Sequence, residues 1–177
     1  WFEIRASEKG YLGRKAGIDF MVAMNPQSYT QDVAEINSGG YLLYDSSWKR
    51  DFHREDINII EVPLTTLCVD EFNNPKTRLL FKNLVYVGAL AYLMNINKDI
   101  FIKLIEEQFK GKEKLISPNV QALEIGFKYA NKHLVDACEI KVNPTNLTEG
   151  MILTNGNNAG GLGCVYGGAT VCTWYPI

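Results

Sequence analysis

The spacing of apolar positions changes near residue 64, from strand-like runs to helical stripes. Phe2-Glu3-Ile4-Arg5-Ala6-Ser7 alternates apolar and polar residues, the pattern of a strand with one exposed face. Asp19-Phe20-Met21-Val22-Ala23-Met24 is a continuous apolar run of strand length, as a buried parallel strand requires. Pro26 predicts the opening of a helix through residue 37, stopped by Gly39-Gly40. Tyr41-Leu42-Leu43-Tyr44 is the next strand, ending at Asp45-Ser46-Ser47, and residues 57–62 form another. Strand, helix, strand in that order predicts an α/β fold of βαβ units, a parallel sheet with helices on its faces.

Beyond Leu64 the pattern predicts helices over 66–72 and 79–94, the second apolar enough to be buried. Asn97 caps a third, carrying Phe101, Leu104, Ile105 and Phe109 on one face and ended by Gly111. A fourth has Val120, Leu123, Phe127 and Ala130 as its inner stripe. Either Ser117-Pro118 supply its cap and first position, or it starts near Lys112 with Pro118 as a kink. Residues 134–150 are polar and turn-rich and are expected to be a linker. Past it come a strand-like Met151-Ile152-Leu153-Thr154, a glycine-rich turn, a small-residue helix and a short strand ending Tyr175-Pro176-Ile177. That tail has the form of a second domain's opening, and Trp1 enters a strand pattern with no initiator Met. The expectation is an internal piece of a longer polypeptide, with domains 1–133 and 151–177 joined by 134–150.

Composition narrows the function classes. A chain of 177 residues, 46% hydrophobic and 21% charged, can bury one good core. A net charge of −2 offers no electrostatic footprint for nucleic acid or an anionic membrane. The longest apolar run, residues 84–94, is too short to cross a bilayer. Cys68, Cys138, Cys164 and Cys172 form no Cys-x-x-Cys pair, so the spacing gives no metal or cluster site and suits reduced thiols in a cytoplasmic protein. Asn146-Leu147-Thr148 is then a chance match to a glycosylation sequon.

Candidate chemistry is sparse. Gly156-Asn157-Asn158-Ala159-Gly160-Gly161-Leu162-Gly163 follows a strand-like segment, where glycines can cradle phosphate at a helix start. A dinucleotide fingerprint also needs an acid about 20 residues on, and none follows Glu149. Close packing of a Gly/Ala-rich helix is the better account. His53 and His133 sit among charged residues and read as solvated. Asp45-Ser46-Ser47 ends a strand, where open α/β sheets bind ligands, although a turn or helix-capping role also fits. Asn83 falls in the most apolar helix, so its amide either bonds backbone or points into a polar pocket.

Several segments taken together resemble a known family. Lys82-Asn83-Leu84-Val85-Tyr86-Val87-Gly88-Ala89-Leu90-Ala91-Tyr92-Leu93, a helix ending Phe109-Lys110-Gly111-Lys112, and Asn119-Val120-Gln121-Ala122-Leu123-Glu124-Ile125-Gly126-Phe127-Lys128-Tyr129-Ala130 are similar, in that order, to the gamma domain of 2-oxoacid:ferredoxin oxidoreductases. So is the run 19–24 followed by Gly39-Gly40-Tyr41-Leu42-Leu43-Tyr44-Asp45. Gly156, Asn157, Tyr175 and Pro176 resemble the start of the alpha, pyrimidine-binding domain, where a Gly-Asn-(Glu or Thr)-Ala turn leads to a Tyr-Pro-Ile-Thr-Pro-Ser loop. Asn158 departs from the family's Glu or Thr.

The resemblance implies a Rossmann-like gamma domain followed by the truncated start of a thiamine-diphosphate-binding-type α/β domain, as in fused alpha subunits. It implies an enzyme, with thiamine diphosphate, Mg²⁺ and a [4Fe–4S] cluster, that oxidatively decarboxylates a 2-oxoacid, 2-oxoglutarate favoured, to acyl-CoA and passes electrons to ferredoxin. A beta subunit holds the diphosphate, metal and cluster, and the assembly is a dimer of alpha–beta units. This stretch alone is expected to hold no catalytic residue, metal or cofactor and to be inactive. Asp45, Ser46 and Asn83 are its candidates for the coenzyme A side. The alternatives are a non-catalytic module binding coenzyme A or a nucleotide, and a structural assembly domain.

Overall fold

A computed structural model describes residues 2–11, 13–173 and 175. They divide into two compact units, residues 1–143 and 144–177. The first holds strands β1 (Ile18–Ala23), β2 (Ile36–Asp45) and β3 (Asn58–Val62), with helix α1 (Tyr29–Ala34) between β1 and β2. Helices α2 (Leu64–Glu71), α3 (Pro75–Leu93), α4 (Lys98–Gln108) and α5 (Ile116–His133) follow. The second unit contains α6 (Gly156–Tyr166).

The three strands form one parallel sheet in the order β1-β2-β3, with Leu43 paired to Val22 on one side and Ile60 on the other. Tyr41 and Leu43 face a core with Ile60, Val62, Val85, Ala89, Ala122 and Ala130. Leu42 and Tyr44 face the opposite core, with Ala23, Tyr29 and Ile57. Burial on both faces leaves no polar alternation, which is why this strand reads as an unbroken apolar run. The expected α/β architecture with a parallel, helix-flanked sheet is what the chain forms.

Helix α3 crosses α5 at backbone distance. A Cβ placed on Gly88 would overlap the Leu123 carbonyl oxygen, and one on Gly126 would overlap the Val85 carbonyl oxygen. Each glycine therefore opens the gap into which the other helix's main chain fits. The same crossing turns Asn119, Ala122, Leu123, Gly126 and Ala130 inward. Val120 and Phe127, expected in the inner stripe, are only half-buried.

Several boundaries differ from the sequence reading. Residues 2–7 are not a strand; Phe2 and Ile4 are exposed, and no neighbouring strand pairs with them among the described residues. Asn25 organises a turn, accepting from Ser28 N at 3.1 Å through its carbonyl, so Pro26 sits in that turn and α1 is short. Gly39-Gly40 lie within β2 instead of stopping α1. Ile18 pairs with Ile36 but Phe20 with Tyr41, so residues 37–40 bulge, and Gly39 takes a φ of +77°. Helix α3 starts earlier than expected, capped by Asn74, whose side chain accepts from Lys76 N at 3.0 Å, with Pro75 at its first position. On α4, Ile105 is buried but Leu104 is exposed. A 3-10 turn, Glu113–Leu115, leads into α5, so the earlier start is the one adopted. Pro118 falls in the first turn of α5, where a missing N–H leaves no bond unmade.

Residues 134–143 pack onto the first unit rather than running free. Cys138 is buried in its core, Val142 N donates to Met94 O at 2.9 Å, and Lys141 Nζ donates to Leu93 O at 2.8 Å. Residues 151–154 form no strand, and Gly156 to Gly163 are helical rather than a turn.

Candidate functional site

The carboxyl end of β2, the central strand, gathers the polar groups of the first unit. Asp45 is its last residue and is buried. Its Oδ1 accepts from Ser47 N and Thr65 N, both at 3.2 Å, and its Oδ2 from Thr65 Oγ1 at 2.5 Å. Lys82 Nζ, on α3, lies 3.5 Å from Oδ2. Helix α2 begins after Pro63, which has no capping side chain, so its first N–H groups need acceptors from elsewhere. Asp45 takes Thr65 N, and Ser47 Oγ takes Thr66 N at 3.0 Å. The strand end thus caps a helix that starts far along the chain.

Burial pushes the Asp45 carboxyl up. The hydrogen bonds donated by Thr65 and Ser47 outweigh that and hold it below the ordinary aspartate value. An ionised carboxylate with four donors around it has little capacity left for a ligand. Chemically, Asp45 is an organiser of the turn and of α2.

Ser46 donates its backbone N–H to Val62 O at 3.0 Å, and the residue is half-buried. Asn83 is exposed and its side chain makes no hydrogen bond among the described residues. Both readings of its amide therefore give way: α3 turns Val85, Gly88 and Ala89 to the core and leaves Leu79, Leu80 and Asn83 outward. Asn83 does neighbour Lys82, so it lies close to the Asp45 edge. Sequence reasoning missed Lys82, Thr65 and Thr66. The available signal was Thr65-Thr66 just after Pro63, which marks a helix start in need of caps.

The loop between β2 and β3 covers the second sheet face. Phe52 packs edge-on to Tyr44 with centroids 4.8 Å apart, and Arg50 lies over the Tyr29 ring at 4.1 Å. Arg54 donates to Val33 O and Ile36 O, both at 3.1 Å, tying the loop to the end of α1. Clefts lined by Ile18, Ile36 and Asn37, and by Asp19, Gly40 and Tyr41, open at the amino ends of the strands, opposite Asp45.

In the second unit Gly156 and Asn157 occupy the first turn of α6, capped by Asn155, whose Oδ1 accepts from Asn158 N at 2.8 Å. Tyr175 is exposed, and Pro176 lies outside the described residues. Among the described residues no three His, Cys, Asp or Glu side chains converge in a way that could hold a metal. Among the described residues no helix is long and apolar enough to cross a membrane.

The family profile described as pyruvate ferredoxin/flavodoxin oxidoreductase matches residues 1–129. The chain belongs to this family. The resemblance to 2-oxoacid:ferredoxin oxidoreductases, read from segments between Asp19 and Ala130, is thereby borne out at family level. Ketoisovalerate oxidoreductase subunit VorA of Methanothermobacter marburgensis is 26% identical over 118 residues, 66% of this chain and 24% of the relative. The 2-oxoglutarate oxidoreductase subunit KorA of Mycobacterium tuberculosis is 23% identical over 201 residues, 99% of this chain and 31% of the relative. Both are named as subunits, and this chain spans less than a third of either. Among solved structures, the 2-oxoglutarate:ferredoxin oxidoreductase from Magnetococcus marinus, with 2-oxoglutarate, coenzyme A and succinyl-CoA bound, superposes with a TM-score of 0.72 at 28% identity. The match covers 85% of this chain and 26% of that one. The gamma subunit of a keto/oxoacid ferredoxin oxidoreductase from Geobacter sulfurreducens shares the fold, with a TM-score of 0.53 at 21% identity over 64% of each chain.

Proposed function

We propose that this chain is part of a subunit that oxidatively decarboxylates a 2-oxoacid, with 2-oxoglutarate favoured, to its acyl-CoA and passes the electrons to ferredoxin. In this reading residues 1–133, with 134–143 packed onto them, are the gamma domain, 144–150 the linker, and 151–177 the start of the alpha domain, with Gly156, Asn157, Tyr175 and Pro176 in its opening segment. The observation that carries the reading is the superposition on the Magnetococcus marinus 2-oxoglutarate enzyme. The alignment to KorA over 99% of the chain supports extending it into the second unit.

Thiamine diphosphate would supply carbanion stabilisation, and a [4Fe–4S] cluster would carry the electrons. The side chains present do not fit either group or its Mg²⁺. Cys68 and Cys138 are buried in the apolar core, and no group of three metal-ligating side chains assembles among the described residues. Those groups are assigned to a beta subunit, the assembly to a dimer of alpha–beta units, and the location to the cytoplasm. What this chain contributes is architecture. Asp45 fixes the β2–α2 corner, and Ser46 and Asn83 stand on the side proposed for coenzyme A. By itself the chain turns over no 2-oxoacid.

The test is reconstitution of the full-length polypeptide with its beta partner, followed by coenzyme-A-dependent viologen reduction with a panel of 2-oxoacids. Turnover led by 2-oxoglutarate is expected. No turnover with any 2-oxoacid, with cluster and thiamine diphosphate confirmed in the protein, would refute the proposal.

A further inference from the structure

Helix α3 is apolar nearly all round, a composition that belongs to a helix covered on every side. Its inner side is covered by α5 and the sheet, through Val85, Gly88 and Ala89. Its outer side is bare over the first half. Leu79 and Leu80 are 69% and 65% exposed, and Lys76 and Asn83 are exposed with them. Val87 follows, half-buried. Lys76, Leu80, Asn83 and Val87 are spaced four, three and four apart, so they lie in one row along the helix with Leu79 beside it. Leu90, next in the series, packs on the core and ends the row.

The polar residue in the row narrows what fits there. The Asn83 amide carries N–H donors and a carbonyl acceptor, and neither has a partner among the described residues. A purely apolar cover would bury both unsatisfied. A second copy of α3 meets the need, because one Asn83 amide donates to the carbonyl of the other and accepts in return. A single Asn in an apolar helix seam fixes register in this way. Charge sets the direction. Two parallel copies would place Lys76 against Lys76. In the antiparallel arrangement Asn83 still faces Asn83 and Leu80 meets Val87 of the other copy. Each Lys76 then lies along the carboxyl-terminal half of the other α3, the end whose dipole attracts a cation. Helix α3 has no basic residue of its own in the last turn, where Lys141 occupies the Leu93 carbonyl.

We propose that α3 is a contact between copies of this chain, at which the row of Lys76, Leu80, Asn83 and Val87 packs antiparallel on the same row of a second copy. In this assignment Asn83 serves the chain–chain contact rather than coenzyme A. The row and Leu79 form a patch smaller than the about 800 Å² per partner of a standard interface. The contact by itself is therefore weak and adds to whatever else joins two copies. It holds or fails whatever reaction the complete enzyme performs.

Disulfide trapping in the full-length polypeptide tests the contact. Under mild oxidation Asn83→Cys is expected to form a covalent dimer through position 83. Mass spectrometry of the linked peptides separates that bond from any made by the exposed Cys164 and Cys172. A mixture of Leu80→Cys and Val87→Cys should give the 80–87 crosslink in excess over 80–80 and 87–87, which is the mark of antiparallel packing. In sedimentation, Leu80→Lys and Asn83→Asp should each weaken self-association roughly tenfold or more. Ile100→Lys, at another exposed apolar position on α4, should leave it unchanged. These substitutions face solvent in the single chain, so an unchanged melting temperature is expected and checks that each variant is folded. No crosslink at 83, a preference for 80–80 and 87–87, or self-association that survives Leu80→Lys overturns the proposal. So does protection of Asn83→Cys from a maleimide reagent in monomeric polypeptide, which makes another segment of the same polypeptide the cover. Protection that requires the beta subunit makes that subunit the occupant and overturns it equally. Turnover of a 2-oxoacid by the same samples bears on the proposed activity alone.

Discussion

Replacing Gly88 by Ala puts the hardest question to the fold, because two opposing effects act on the same atom. Ala is a better helix former than Gly by about 0.5–1 kcal/mol, so propensity alone predicts a gain. The new methyl group, however, would overlap the Leu123 carbonyl oxygen, which is backbone and cannot rotate away. Accommodation requires α3 and α5 to separate, opening the layer between Val85, Ala89, Ala122 and Ala130. Overpacking of this kind costs about 1–3 kcal/mol and more where backbone must move. The net expectation is a loss of about 2 kcal/mol, several degrees in Tm for a unit of this size. Gly126→Ala should behave alike, since its methyl group meets the Val85 carbonyl oxygen. The double variant should lose less than the sum, because one separation accommodates both methyl groups. Gly160→Ala in α6, where a methyl group meets nothing within 4 Å, is the matched control and should not destabilise. Urea and thermal unfolding followed by circular dichroism measure all four. A Gly88→Ala protein as stable as the parent would refute the close crossing of α3 and α5.

Asp45→Ala removes the acceptor for Ser47 N, Thr65 N and Thr65 Oγ1 and leaves Lys82 without its partner, so a loss of about 3 kcal/mol is expected in the same unfolding experiments. Because the folded Asp45 carboxyl lies below its ordinary value, its stabilisation is complete above the unfolded aspartate pKa, about 3.9, and is lost as pH falls through the lower folded value. Acid titration of the parent should show that loss, and Asp45→Ala should lack it. The Cys68 thiol is buried and pushed up to about 11, and Cys138 is also buried and raised. A thiol reagent at pH 8 should therefore label the exposed Cys164 and Cys172 at once, and Cys68 and Cys138 only on unfolding, as read by mass spectrometry.

Strands buried on both faces were legible because their sequence carries no conflicting polar positions, as Tyr41 to Tyr44 illustrate. The sequence misled where one residue type serves two purposes. Gly39-Gly40 look like a helix stop but form a bulge, and the difference depends on the register between β1 and β2, which no local window contains. Asn83 looked buried because α3 is apolar nearly all round. Exposed Leu79 and Leu80 show that apolar residues are not confined to its inner side, so the pattern cannot orient the helix. The site was half legible. The strand-end rule pointed to Asp45, but its partners Thr65 and Lys82 arrive through tertiary structure, and their arrival changes the residue from a candidate ligand contact into a cap. The family-level assignment did not depend on such details, since it rested on the order of several segments.

The second unit shows why composition must be weighed against packing. Helix α6 spans Gly156–Tyr166, four of its residues are glycine, and every one is exposed. Each glycine costs about 1 kcal/mol relative to Ala in a helix, roughly 4 kcal/mol in all, and isolated helices shorter than about 12–15 residues are marginal even when Ala-rich. The Asn155 cap returns only about 1 kcal/mol of that. Intrinsic propensity therefore favours α6 only weakly, and close packing against its glycines in the full-length polypeptide is the expectation to test. A synthetic peptide of residues 150–173 should accordingly show no helical ellipticity in water. In the full-length polypeptide the amides of Gly160 to Tyr166 should be protected from hydrogen exchange. A helical peptide in water would mean that the glycines answer to something other than close packing.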